Sequence, residues 1–193
     1  MKKPFHLDEQ QILIEQEWVR SAQSDSRHFS RLYDRYFEGI FNFLYRRSGI
    51  EEVAADLTSQ TFLKALQNLH KYKYKGVPFS AWLFRIAANE VNAYYRKRQK
   101  RLVFSLEESM LYEILEVYDE DYFGEEDINQ MVLFLKELPA EDVEVLELRF
   151  FEEKGFKEIA YILEVSESGV KMRVYRALKK LRRFFNKKDK KEG

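Results

Sequence analysis

Apolar residues recur at steps of three and four along most of the chain, the spacing of one buried helical face. The clearest run is Phe29, Leu32, Tyr33, Tyr36, Phe37, Ile40, Phe41 and Leu44, which predicts a helix that Gly49 stops. A second stripe of Val53, Leu57, Thr61, Phe62, Ala65, Leu66 and Leu69 predicts a helix over about 51–69. Residues 7–23 give a sparser pattern through Leu7, Ile14, Trp18 and Ala22. After a Gly-Pro break at 76–78, residues 79–101 predict a long helix capped by Ser80, with Trp82, Leu83, Ile86, Ala87, Val91 and Tyr94 available to the core. Residues 102–129 lose the periodicity and read as a linker, with one short helical piece near 106–115.

The pattern returns in the last third. Acids at 125–127 open a second domain that includes Met131, Leu135 and Leu138, and a helix over 142–151 offers Val143, Leu146, Leu148 and Phe150. A short helix through Phe156, Ile159, Ala160, Ile162 and Leu163 is followed by a break at Glu164–Ser168, where Ser166 or Ser168 can cap the next helix. In that helix Val170, Val174, Ala177, Leu178 and Leu181 share one face. At about 100° per residue, Ser168, Met172, Tyr175, Arg176, Lys179 and Arg183 fall opposite, flanked by Lys171 and Arg173. Two helices with a tight turn, the second apolar behind and basic in front, read as a helix-turn-helix that binds duplex DNA. A helical hairpin with a merely solvated charged face is the alternative.

Charge sharpens the picture. The 33 basic and 33 acidic residues cancel overall but are segregated. Nine bases stand against Glu90 alone over 71–101, ten acids and no base fill 103–129, and 168–191 carries eleven bases against Asp189. A surface that positive suits phosphate. The 193 residues suffice for one or two small domains, and the pattern predicts an all-α chain with two helical domains at 1–101 and 130–193. There is no cysteine, and the three histidines lie far apart, so no metal site or cofactor is expected. No apolar run reaches the roughly 20 residues that span a bilayer, and the reading is a soluble, cytoplasmic protein with no membrane insertion.

The segment His70-Lys71-Tyr72-Lys73-Tyr74-Lys75 alternates cations with rings, which suits a single strand whose backbone follows the charge while bases stack on the aromatics. Tyrosines half-packed on the core would give the same composition. In the helix that follows, Arg85, Asn89, Asn92, Arg96 and Lys97 project away from the apolar stripe. No Gly-rich phosphate loop, nucleophile elbow or zinc-protease motif is present, and nothing points to an enzyme.

These segments together resemble the sigma-70 family of bacterial transcription initiation factors, most closely its two-domain extracytoplasmic-function branch, over Trp18 to about Phe185. The stretch AADLTSQTFLKAL looks like the helix that docks on core RNA polymerase, FSAWLFRIAANEVNAYYRKR like the helix that reads and opens the −10 element, and residues 138–182 like the domain that reads the −35 element. The resemblance implies docking through Asp56, Gln60, Phe62 and Leu63. It implies capture of a −10 base by Tyr72, Lys73, Tyr74 and Lys75 with Trp82, Arg85, Asn89 and Arg96, and −35 contacts by Lys171, Arg173 and Arg176. An anti-sigma partner is expected on the same grounds. The chain departs from the family where Ser59-Gln60 replaces the usual Gln-Glu, and where Glu164 takes the place of a turn glycine and Gly169 that of a threonine. Glu164 is expected to be left-handed at a cost of about 1 kcal/mol, and Met172 to meet an apolar group such as a thymine methyl. The rival functions are a free-standing helix-turn-helix regulator and a sigma-like antagonist that occupies polymerase.

Overall fold

The computed structural model describes residues 9–98 and 138–188, and every regular element among them is helical. Helices α1 (Glu9–Ser24), α2 (Ser30–Ser48), α3 (Glu51–Asn68) and α4 (Phe79–Arg98) form the first bundle. Helices α5 (Ala140–Leu146), α6 (Phe156–Leu163) and α7 (Glu167–Lys188) form the second. The expectations at Leu7, over 102–129, at Met131 and Leu135, and for the lysine tail beyond 188 lie outside the described residues.

The first bundle follows the apolar pattern closely. Leu32, Ile40, Phe43 and Leu44 of α2 meet Ala54, Leu57, Phe62 and Ala65 of α3 and Leu83, Ala87 and Val91 of α4 in a fully buried core. Gly49 ends α2 at φ 65°, and its N–H donates to the Tyr45 carbonyl. Tyr33 and Phe37, expected inside, lie at the edge of the stripe with Tyr45, each about two-fifths exposed. In α1 the buried apolar positions are Val19 and Ala22, with Glu15 buried beside them, whereas Ile14 points outward.

The start of α4 is capped from a distance. Ser80 lies buried inside the helix and is not the cap; the carboxylate of Glu15 in α1 accepts the Phe79 N–H at 2.7 Å. Glu15 also accepts from the Tyr36 hydroxyl. Burial raises the Glu15 carboxyl above the ordinary range, although its hydrogen bonds from Tyr36 and Phe79 pull the other way.

In the second bundle α5 widens into one π-helical stretch, Glu147–Phe151, closed by the Glu152 N–H donating to the Glu147 carbonyl. The wider turn brings Glu147, Leu148 and Phe150 all into the interior. The two bundles share one continuous apolar cluster, with α6 packed on α4 and the end of α2 against α5 and the π turn.

Candidate nucleic-acid interface

The helix-turn-helix has the expected anatomy. Glu164 adopts φ 57° and ψ 38°, and the N–H groups of Glu164 and Val165 close on the Ala160 carbonyl. Of the two candidate caps, Ser166 is the one used: its Oγ accepts the Gly169 N–H at 3.1 Å. A Cβ on Gly169 would stand 3.0 Å from that same oxygen, so the glycine makes room for the cap. At the other end of the pair, Glu158 accepts the Gly155 N–H at 2.9 Å, which fixes the entry to α6.

Up to Lys180 helix α7 is divided as the sequence predicts, and the expectations for the side chains of Leu181 and Arg183 lie outside the described residues. Val170, Val174, Ala177 and Leu178 are buried, while Ser168, Lys171, Met172, Tyr175, Arg176 and Lys179 are exposed and Arg173 is half-buried. Met172 is 70% and Tyr175 63% exposed, an apolar pair at the centre of a cationic face. The cations differ in freedom. Asp142, fully buried in the first turn of α5, accepts from Arg176 and from Lys180 at 2.7 Å each. Burial pushes the Asp142 carboxyl up most strongly, yet hydrogen bonds and charge from Lys180 and Arg176 together hold it below the usual carboxylate range. Lys171 pairs with Glu167 at 2.8 Å on an open surface, where such a bond is worth little and yields easily to a phosphate.

On the first bundle, a cleft of about 360 Å³ opens between α3 and α4. Its lining brings together Tyr72, Trp82 and Asn89 with Lys64, Asn68, Lys71, Ile86 and Glu90. Tyr72 is half-buried, its ring 5.1 Å from both Phe79 and Trp82, whereas Tyr74 is 43% exposed. The loop therefore holds one structural tyrosine and one open one, flanked by the exposed Lys73 and Lys75. Sequence reasoning misses Asn68, Ile86 and Glu90. A signal for Glu90 existed, since it is the only acid in its basic run; it is nearly buried and accepts from Lys64 at 2.6 Å.

Six expected −10 residues lie away from the cleft lining: Lys73, Tyr74 and Lys75 in the loop, and Arg85, Asn92 and Arg96 on α4. Asn92 is half-buried and Arg96 exposed farther along α4, and Arg85 faces the second bundle. On α3, Asp56, Gln60 and Leu63 lie on the open face, with Gln60 donating to Asp56 at 2.7 Å and Leu63 54% exposed. Phe62, expected among the contact residues, is instead buried between Phe29, Tyr33 and Phe37, beneath the open face of α3. Leu66 extends the open apolar strip. Among the described residues no group of acids or histidines could hold a metal ion, and no helix is long and apolar enough to cross a membrane.

The sequence matches the family models for sigma-70 region 2 over residues 32–101 and sigma-70 region 4 over residues 128–181. It is 32% identical to the RNA polymerase sigma factor YlaC of Bacillus subtilis over 161 residues, 81% of this chain and 91% of that one. It is 33% identical to the ECF RNA polymerase sigma factor BldN of Streptomyces coelicolor over 169 residues, 86% of this chain but 64% of the relative's own length. The fold is similar to that of CnrH in a complex with the cytosolic domain of CnrY, with a TM-score of 0.60 at 23% identity over 89% of this chain and 97% of that one. The chain belongs to the sigma-70 family of RNA polymerase sigma factors, in its extracytoplasmic-function branch.

Proposed function

We propose that this chain binds core RNA polymerase and selects promoters, capturing an unstacked base of the −10 strand on the first bundle and reading the −35 duplex with α7. The observation that carries the reading is the pairing, on one chain, of two unlike nucleic-acid surfaces. The α3–α4 cleft has an aromatic floor of Tyr72 and Trp82 with Lys64, Lys71, Asn68 and Asn89 around it, the chemistry for a flipped base on a charged backbone. Helix α7 is a narrow cationic rod of the size that fits a major groove, with its side chains for base edges outermost.

The α3 face of Asp56, Gln60, Leu63 and Leu66 is the docking surface in this reading, and an anti-sigma protein would compete for polymerase by covering it. Chemistry is left to polymerase. The test is retention of the chain on immobilised core enzyme. Wild type co-elutes with core, and Leu63→Asp, which places a charge at an exposed apolar site, lowers retention at least tenfold. Equal retention of the variant would remove α3 as the docking element.

A further inference from the structure

Asp142 has no exposed surface, yet both of its carboxylate oxygens are spent on α7. Oδ1 accepts from Arg176 Nη2 and Oδ2 from Lys180 Nζ, each at 2.7 Å. Its own N–H donates to the Pro139 carbonyl at 2.8 Å, so the carboxylate stands on fixed backbone in the first turn of α5. Burial pushes the carboxyl up, but hydrogen bonds from Lys180 and Arg176 outweigh it and leave the group charged at neutral pH. Arg176 is unlike its anchor, for 55% of its side chain is open to solvent. It follows Met172 by one turn and stands next to Tyr175 on the exposed face of α7. An ordinary surface ion pair has two mobile ends. Here one end is buried and fixed, and the guanidinium beyond it is bare.

We propose, on the reading of α7 as the −35 helix, that Asp142 is a positioning residue for DNA recognition: it holds Arg176 at the angle at which the guanidinium selects a guanine. Nη2 carries two hydrogens, and Asp142 takes one of them. The other lies parallel to a hydrogen on Nε or Nη1, and that pair fits O6 and N7 on the major-groove edge of guanine. Adenine offers N7 beside an amino donor, cytosine an amino donor and thymine one acceptor, so none of them takes both bonds. An untethered arginine on an exposed helix face would spread over many rotamers and settle on whichever phosphate lay within reach. Holding it in advance removes that ordering cost from binding, and the side chain becomes a base reader rather than a phosphate anchor. Lys180 occupies the second oxygen, so the carboxylate cannot turn to follow Arg176 away.

The test is selection of −35 sequences, from duplexes randomised in that element, by core polymerase carrying the full chain. Wild type should enrich guanine at one position by about tenfold or more, and 7-deazaguanine there, which has C–H in place of N7, should cost most of that preference. Arg176→Lys keeps the charge without the paired donors and should flatten that position alone. Asp142→Asn keeps the shape and one acceptor but drops the charge that holds the arginine. It should lower the guanine preference at the same position by about threefold or more while leaving the other positions unchanged. It should also tighten binding to unrelated duplex, because one negative charge is gone and two cations are released to phosphates. Lys180→Gln alone should keep the preference. Asp142→Asn with Lys180→Gln removes one charge of each sign and should lose the preference as the single Asp142 variant does.

The opposite signs separate positioning from plain support, since a loosened bundle would weaken specific and unrelated duplex together. Melting followed by circular dichroism establishes that each variant is folded at the assay temperature. Guanine selection that survives in both folded Asp142 variants overturns the proposal, and so does a uniform loss at every position or a guanine position indifferent to Arg176→Lys. Holoenzyme that forms but enriches no −35 sequence would overturn the promoter reading and this proposal with it. An enriched element that ignores Asp142→Asn overturns the positioning role alone.

Discussion

Glu15 is a single carboxylate on the least patterned helix, yet it fixes the start of α4, which lines the α3–α4 cleft. Its two oxygens take the Phe79 N–H at 2.7 Å and the Tyr36 hydroxyl, and so tie α1 to the first turn of α4 and to α2. Glu15→Ala leaves the buried Phe79 N–H without a partner, at about 1–3 kcal/mol. It also removes a negative charge from a helix N-terminus, at up to about 1 kcal/mol. The Tyr36 hydroxyl loses the same acceptor. The sum is about 3 kcal/mol, or a Tm lower by about 6–12 °C for a chain of this size. Glu15→Gln keeps an acceptor and should lose about 1 kcal/mol. Thermal unfolding followed at 222 nm measures both. Since Phe79 and Trp82 lie 5.3 Å apart in the floor under Tyr72, the alanine variant should also bind a pre-melted −10 template with core more weakly at a temperature where it remains folded. A shift under 2 °C, or equal shifts for Gln and Ala, would refute the long-range cap.

Met172 should contribute about 1 kcal/mol of −35 preference through a thymine methyl: replacing that thymine by uracil weakens wild type and leaves Met172→Ala unchanged, whereas equal losses in both would exclude the contact. Asn89→Ala should reduce open-complex formation about tenfold, the worth of one hydrogen bond in the cleft, with core binding intact; loss of core binding would misplace it. The stability contributed by the buried carboxylates between the bundles should rise as pH falls. Burial drives the Glu152 carboxyl up to about 7 despite Arg46, with Glu147 adding to the rise and Lys154 opposing it, against an ordinary value of 4.5. Glu147 is raised in the same direction, by burial, against the pull of Arg47 and Arg46. The folded chain therefore holds the extra proton between about pH 4.5 and 7, and the stability it contributes is fully present below that window and lost as pH rises through 7. The melting temperature should be higher at pH 6 than at pH 8, and Glu152→Gln should flatten the difference; the opposite slope would contradict the assignment.

What the sequence made legible was local. Helix α2 announces itself because aromatic residues at helical spacing leave no other way to bury them, and the left-handed Glu164 follows from the two helix patterns that meet at it. The cationic face of α7 is equally readable, because it is one residue run on one helix. What stayed hidden depends on partners far along the chain. Nothing near Phe79 signals that its cap is Glu15, and Arg47 looks like a solvated cation until Glu144 and Glu147, about a hundred residues away, come to meet it. Arg176 reads as a free base-reader for the same reason, since Asp142 lies on another helix. The π turn at Glu147–Phe151 adds one residue to a helical count and so shifts which side chains face inward. For the cleft, the sequence supplied Tyr72, Trp82 and Asn89, and the packing of α3 against α4 added Asn68, Ile86 and Glu90.

The most direct test of the central claim is transcription in vitro from a library of random promoter sequences, by core RNA polymerase with and without this chain. The account predicts start sites that appear only when the chain is present and that share sequence elements near −10 and −35. Tight binding to core with no new start sites would contradict it and identify the chain as an antagonist of polymerase.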